Sequence, residues 1–92
     1  MIRSFRSRAL WRLWERDDPR RLPADQVPRI RQILNFLDMA STPQELDLPG
    51  LHFHALTGDM RGRYAVTVRA NWRITFGWDD VDAVAVDYED YH

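Results

Sequence analysis

Three side chains capable of acid–base chemistry stand together in the chain as Asp90, Tyr91 and His92. A carboxylate, a phenol and an imidazole can accept, donate or relay protons, and imidazole does so near neutral pH. His54 adds a second imidazole, and Arg73 adds a guanidinium, which binds planar oxyanions through paired hydrogen bonds. These residue types are common, so the pattern by itself suggests only a centre for proton transfer beside an anion.

A metal site is the competing interpretation of the histidines. His52 and His54 are two positions apart, and His92 could supply a third ligand. No cysteine is present, which excludes a disulfide and a thiolate metal site. The acidic segment Asp79–Asp82 is typical of a solvated hairpin turn rather than of a cation site. We therefore expect neither a metal nor another cofactor.

Strand alternation predicts that Arg73 points away from the core. If the large apolar side chains of Trp72–Trp78 face the helices, the pleat sends Arg73 and Thr75 to the other face. A tight bend near Asn71 would bring Arg69 opposite Arg73, and an anion between them would relieve the repulsion. For Arg69 a solvated side chain is the simpler interpretation. Arg73, flanked by aromatic core residues, is the better candidate for a functional cation.

Two amphipathic helices are predicted in the N-terminal half. The apolar residues of Arg6–Arg16 share one helical stripe, and Asp17-Asp18-Pro19 ends that helix because proline disfavours helical geometry in the residue before it. A second helix is expected to begin near Asp25 as its N-cap, with Pro28 in the first turn, where its missing N–H costs nothing. Its apolar stripe consists of Val27, Ile30, Leu34 and Leu37.

The remaining segments predict one helical turn and several strands. Ile2–Phe5 alternates apolar and polar residues, and Thr42-Pro43-Gln44-Glu45 predicts a capped turn after the second helix. Further strands are predicted at Leu51–Leu56, Tyr64–Arg69, Trp72–Trp78 and Val84–Tyr88. Their short connections imply antiparallel neighbours. The predicted fold is α+β, with two N-terminal helices packed on one face of a small, mostly antiparallel sheet.

Composition predicts one soluble domain over residues 1–92. A chain of 92 residues that is 45% apolar and 29% charged can build one core, and such a chain rarely supports two. It contains no run of about 18 apolar residues that could span a membrane. The charged N-terminus has no apolar signal core, so we expect a cytoplasmic protein.

The net charge of −1 conceals basic and acidic blocks. Residues 1–37 carry nine arginines and four acids, and residues 61–76 carry four arginines and no acid, whereas residues 38–60 and 77–92 carry only acids. Blocks that fold together can present a basic face to a polyanion. The near-neutral total therefore does not exclude a nucleic-acid partner.

Several segments carry a family resemblance that extends over essentially the whole chain: Met1–Phe5, His54–Asp59, Arg61-Gly62, Val68–Phe76 and Val86–His92. In these segments the chain resembles the HigB group of the RelE-like toxins, called plasmid maintenance killer proteins. Two segments are specific for this group when they occur together in a chain of this length: Asn71-Trp72-Arg73-Ile74 and Asp90-Tyr91-His92. The resemblance implies a ribosome-dependent endoribonuclease of a type II toxin–antitoxin system, which cleaves mRNA through attack by the 2′-OH and needs no metal. It also implies three partners: a HigA-like helix-turn-helix antitoxin, the ribosome with its mRNA, and operator DNA reached only through the antitoxin.

The resemblance suggests catalytic roles for five residues. Arg73 would bind the scissile phosphate and stabilise the charge of the transition state. Asp90 or His54 would take the 2′-OH proton, and His92 or His54 would protonate the leaving 5′-oxygen. Tyr91 would orient or stack a base.

Five further residues are expected to contact RNA or the ribosome. Asn71 would stabilise the turn or bind the RNA, and Arg69 would contact the RNA beside that turn. Arg61 and Arg63, expected in a loop, would bind ribosomal RNA phosphates. Thr57 stands where some relatives carry a lysine, so it can donate a hydrogen bond but supplies no charge.

Two other functions are compatible with the sequence. The first is a RelE-like module that is weak or inactive in catalysis and acts through antitoxin binding and autoregulation of its operon. The neutral Thr57 is compatible with this function. The second is a sequence-tolerant RNA-binding domain that stacks bases on tryptophan and tyrosine. The predicted core orientation of Trp72 and Trp78 disfavours the second.

Overall fold

The computed structural model of the protein describes residues 1–90. Within them, two helices precede an antiparallel sheet with the strand order β1-β2-β3-β4. The helices are α1 (Arg8–Arg16) and α2 (Val27–Met39), and the strands are β1 (His54–Ala55), β2 (Arg63–Arg69), β3 (Trp72–Asp79) and β4 (Asp82–Asp90). This arrangement confirms the predicted α+β fold. No helix in the described part of the chain is long and apolar enough to cross a membrane.

Helix α1 begins two residues later than predicted because Ser7 caps it. The Ser7 side chain accepts a hydrogen bond from the backbone N–H of Leu10 at 3.2 Å, which satisfies one of the free donors of the first turn. The helix ends at Arg16, and the next residue, Asp17, has a left-handed backbone with φ of 53°. The predicted end of the helix at Asp17-Asp18-Pro19 is confirmed.

The turn after α1 is held by Asp18. Its carboxylate accepts hydrogen bonds from Arg20, at 3.1 Å from the backbone N–H and at 2.9 Å from Nε. Arg12 lies 4.0 Å away on α1. These interactions, above all the side-chain hydrogen bond from Arg20, lower the pKa of Asp18 to about 2.

The predicted N-cap of α2 is wrong. Gln26 holds that position without a side-chain cap hydrogen bond, and Pro28 lies in the first two positions of the helix. Asp25 instead forms an ion pair with Arg69 on β2. The predicted capped turn after α2 is confirmed as a short 3₁₀ helix, Pro43–Leu46, whose Thr42 and Glu45 form a capping box.

One hydrophobic cluster fills the space between the helices and the sheet. Its fully buried large side chains include Leu10, Ile30, Ile33, Leu34, Leu37, Leu46, Val66, Ile74, Phe76 and Val86. In β3, Ile74 and Phe76 have no exposed surface, and Trp72 and Trp78 pack half-buried against the same cluster. The predicted orientation of the apolar side of β3 is therefore confirmed.

The N-terminal segment does not form the predicted strand. It makes two isolated parallel bridges with β4, Ile2 with Ala83 and Phe5 with Val86. The backbone N–H of Arg6 adds a 2.8 Å hydrogen bond to the carbonyl of Val86. The segment therefore runs along the outer edge of β4 and brings Arg6 close to the sheet.

The β2–β3 hairpin has a different register from the predicted one. Arg73 pairs with Thr67 and Arg69 pairs with Trp72, because the register shifts between Thr67 and Arg69. The expected opposition of Arg69 and Arg73 is therefore wrong. Arg69 is exposed and lies in the ion pair with Asp25, so its charge is already offset within the protein.

Candidate active site

The sheet face opposite the helices, here called the open face, carries a polar network. Its members are Arg63 on β2, Arg73 and Thr75 on β3, and Glu89 on β4. The register places Arg73 opposite Glu89, and alternation along β3 puts Thr75 on the same side as Arg73. The prediction that Arg73 and Thr75 point away from the helices agrees with these contacts.

Arg63 is a buried member of this network, with 8% of its surface exposed. Its Nη2 donates to Thr75 Oγ1 at 2.9 Å and to the backbone carbonyl of Ala85 at 2.8 Å. Burial, and then the nearby positive charge of Arg6, lower the pKa of Arg63. The expectation that Arg63 lies in a loop is wrong, because it is the first residue of β2. Buried and bonded in this way, its guanidinium is not placed to bind ribosomal RNA.

A bulge in β4 makes room for the Arg63 guanidinium. The register shifts between Thr75 and Gly77, and Ala85 on the opposite strand has a left-handed backbone with φ of 51°. A Cβ on Gly77 would lie 3.2 Å from the Val84 side chain and 3.8 Å from Arg63 Nη1. The glycine therefore lets the guanidinium and β4 approach each other across this position.

Thr75 and Glu89 connect Arg63 to Arg73. Thr75 is fully buried, and its hydroxyl donates to Glu89 Oε2. Glu89 Oε1 lies 3.8 Å from Arg73 Nη2. The sequence analysis did not identify Glu89 as a site residue. In the sequence Glu89 is one of three acids in residues 87–92, and the β3–β4 register was needed to show that it faces Arg73.

His54 is exposed on β1 and belongs to the open face. It pairs with Ala65, which in turn pairs with Thr75. Its Nδ1 lies 2.9 Å from the carbonyl oxygen of His52. A carbonyl can only accept, so Nδ1 carries the hydrogen, and Nε2 is the nitrogen that faces away from this hydrogen bond. Two strand spacings, roughly 10 Å, separate the backbones of β1 and β3.

Asp90 is not placed on the open face by the register. It pairs with Trp72 at the end of β4, on the alternation that includes Tyr88 and the helix-facing residues. Burial raises the pKa of Tyr88 to about 12, with further contributions from the carboxylates of Asp25 and Asp90. Asp90 therefore lies near Tyr88. Two other predicted site residues, Tyr91 and His92, lie outside the described residues.

The remaining predicted site residues lie in exposed connections. Thr57 directly precedes a 3₁₀ helix, Gly58–Met60, and Arg61 follows it. Asn71 lies in the β2–β3 turn beside Ala70, which has a left-handed backbone. The structure thus brings Arg73 and His54 to one face, whereas these three lie in exposed connections between strands. In residues 1–90, no group of three or more potential metal ligands is gathered in one place.

Comparison with known proteins places the chain in a family. A family model described as the RelE-like toxin HigB of type II toxin–antitoxin systems matches residues 3–92. The chain belongs to the HigB-like toxins. It is also 42% identical over 92 residues to a protein named Endoribonuclease HigB from Proteus vulgaris, and the match covers 100% of both chains.

The family membership confirms the resemblance inferred from the sequence. Because the model spans nearly the whole chain, both the helices and the open face belong to the HigB-like toxin fold. The protein is therefore a toxin of a type II toxin–antitoxin system.

Proposed function

We propose that this HigB-like toxin is an endoribonuclease that cleaves mRNA on the translating ribosome. The full-length relative that is named an endoribonuclease carries the proposal. The open face supports it, since it carries the guanidinium of Arg73 and the imidazole of His54, on two strands that are separated by β2. Attack by the 2′-OH needs a phosphate aligned with that oxygen, a base, a cation and an acid. Protein side chains can hold the phosphate in line and can supply the other three groups. Dependence on the 2′-OH restricts the reaction to RNA.

Arg73 supplies the cation in this mechanism. Its guanidinium lies on the open face with 16% of the side chain exposed, so it is partly desolvated yet accessible. Charge–charge interactions are stronger in such a setting than in bulk water. Paired N–H donors match two oxygens of a phosphate, and they stabilise the additional negative charge of the pentacoordinate phosphorus in the transition state.

His54 acts as the base. Its Nδ1–H is held by the carbonyl of His52, which leaves the Nε2 lone pair to accept the 2′-OH proton. Asp90 is the other candidate base, but the register assigns it to the opposite alternation of β4. His92 then protonates the leaving 5′-oxygen, and Tyr91 orients or stacks a base.

The partners follow from the same function. A HigA-like antitoxin with a helix-turn-helix domain would neutralise the toxin and repress the shared operon, so operator DNA is reached only through the antitoxin. Thr57, Arg61 and Asn71 are exposed in the connections between strands, and in this proposal they contact the mRNA or the ribosomal RNA. Because its substrate is mRNA on ribosomes, the toxin acts in the cytoplasm.

Arg73→Ala and His92→Gln test this proposal. Purified ribosomes carrying a translating mRNA are incubated with each variant, and cleavage is followed by primer extension. We expect the rate to fall by about 10²-fold or more in each case, because a transition-state donor and a proton donor are lost. Arg21→Ala is the matched control, since Arg21 is exposed on the loop between the helices.

Full cleavage by both variants would reject the proposed centre. An unmodified protein that cleaves no mRNA, and whose expression without antitoxin leaves growth intact, would reject endoribonuclease activity itself. That second outcome is the one expected of a module that acts only through antitoxin binding.

A further inference from the structure

We propose that Glu89 is a positioning residue for Arg73, and that Thr75 and the buried Arg63 hold Glu89 in place. The inference rests on the proposed function, in which Arg73 binds the scissile phosphate. The proposed mechanism assigns no role to the polar network on the open face, and this inference supplies one.

Glu89 is the acid that the sheet places directly opposite Arg73. The two residues are paired in the β3–β4 register, and Glu89 Oε1 lies 3.8 Å from Arg73 Nη2. Only 16% of the Arg73 side chain and 27% of the Glu89 side chain are exposed. Their attraction is therefore screened less than that of a surface pair. Glu89 thus defines a direction for the Arg73 guanidinium.

Thr75 fixes the other carboxylate oxygen of Glu89. A hydroxyl has a single hydrogen, and Thr75 Oγ1 already accepts a hydrogen bond from Arg63 Nη2 at 2.9 Å. Its hydrogen is therefore committed to Glu89 Oε2. With Oε2 held by a fully buried hydroxyl, Oε1 is turned toward Arg73.

Arg63 is the fixed end of this chain of contacts. Its Nη2 also donates to the carbonyl of Ala85 in the β4 bulge, so the guanidinium is attached to β3 and β4 together. Burial opposes its charge, and the carboxylates of Glu89 and Asp87 favour it. The negative charge of Glu89 therefore offsets the positive charge of two guanidinium groups, the buried one of Arg63 and the accessible one of Arg73.

The spacing of the Glu89–Arg73 pair suits a positioning role. A charge-assisted N–H···O bond measures about 2.8 Å, whereas this pair is separated by 3.8 Å. Glu89 therefore orients the guanidinium by charge, and a phosphate need not break a short hydrogen bond between the two side chains. Loss of the Glu89 charge should misdirect Arg73 while making the open face more attractive to RNA.

Glu89→Gln is the direct test, because the amide keeps the size and an acceptor for Thr75 but removes the charge. We expect kcat for mRNA cleavage on ribosomes to fall by about 10- to 100-fold, as when a donor to the transition state is misplaced. KM should stay the same or decrease. Glu15→Gln, on the exposed side of α1, is the matched control and should leave both constants unchanged.

Two further measurements separate positioning from a general structural effect. If Glu89 acts through Arg73, the double variant with Arg73→Ala should cleave no more slowly than Arg73→Ala alone. Thr75→Val should lower kcat in the same direction as Glu89→Gln, and Thr75→Ser, which keeps the hydroxyl, should restore it. Thermal unfolding of each variant reports folding, and the threonine pair serves if Glu89→Gln does not fold.

The inference is overturned if Glu89→Gln or Thr75→Val leaves kcat unchanged, if KM rises as kcat falls, or if the losses from Glu89→Gln and Arg73→Ala multiply. These outcomes leave the proposed function intact as long as the unmodified toxin cleaves mRNA and Arg73→Ala does not. If the unmodified toxin cleaves nothing, the proposed function fails first.

Discussion

At the scale of single residues, the proposed site combines a guanidinium and an imidazole on the open face with a neutral side chain in the connection after β1. Arg73 and His54 lie on one side of the sheet, while the exposed Thr57 follows β1 by two residues. Thr57 lies in the segment that carries His54, so a charge there would act near the substrate. A hydroxyl can donate to a phosphate oxygen but does not offset its charge.

Thr57→Lys should therefore accelerate cleavage. An added ammonium beside the phosphate should raise kcat by several-fold to about 10-fold. Removal of one preorganised donor lowers the rate by about 10²-fold or more, so a flexible lysine should recover part of that effect. Initial rates on mRNA-programmed ribosomes measure the change. Gln44→Lys adds the same charge on the exposed side of the 3₁₀ helix after α2 and should have no effect. An unchanged or lower rate for Thr57→Lys would place this residue outside the reach of the phosphate.

At the scale of elements, short polar contacts determine where helices end and where strands shift register. Ser7 starts α1, and Asp18 holds the turn after it through Arg20. In the sheet, the bulge at Ala85 admits the Arg63 guanidinium, and the shift between Thr67 and Arg69 separates Arg69 from Arg73. The site thus depends on irregularities of the elements as much as on the elements themselves.

Asp18→Asn should destabilise the protein near neutral pH and have little effect in strong acid. The pKa of Asp18 is about 2 in the folded protein and about 3.9 in an unfolded chain. A lowered pKa contributes stability that is present above pH 4 and is lost as the pH falls toward 2.

Urea unfolding at pH 7, 4 and 2.5 measures this difference. Asp47→Asn, on an exposed residue after the 3₁₀ helix, is the matched control and should show no such pH dependence. An equal loss of stability at pH 7 and pH 2.5 would mean that the Asp18 charge is not responsible.

At the scale of the whole molecule, Tyr88 joins the sheet to the second helix. It stacks on Trp72 with ring centroids 4.6 Å apart, and its hydroxyl donates to Gln26 at the start of α2. Nearby, Asp25 and Arg69 form an ion pair between the same two layers. At this end of the helix–sheet interface, polar contacts therefore surround the half-buried phenol of Tyr88.

Tyr88→Phe should reduce the loss of stability at alkaline pH. The pKa of Tyr88 is about 12 when folded and about 10 when unfolded, so folding disfavours the phenolate. Its contribution to stability is complete below pH 10 and is lost as the pH rises toward 12. The chain has no lysine and no cysteine, so tyrosines are the principal side chains that titrate in this window.

Equilibrium unfolding between pH 9 and 12 tests this expectation. The stability of the unmodified protein should fall steeply in that range, and the slope should be smaller for Tyr88→Phe. Tyr64→Phe is the control, because Tyr64 lies on β2 and stacks between Phe53 and Phe76. An identical slope for Tyr88→Phe would exclude Tyr88 as the source.

The sequence by itself determined the fold class, the family and the side of β3 that carries Arg73. The fold class and the side of β3 follow from local periodicity, because a period of two residues assigns alternate side chains to opposite faces wherever the strand lies. The family follows from the resemblance of whole segments. Only the tertiary structure showed that Arg63 is buried, that Arg69 and Arg73 are not opposed, and that Glu89 faces Arg73. Those outcomes depend on bulges and on pairing between distant strands, and a shift of one residue reverses the face of every side chain beyond it.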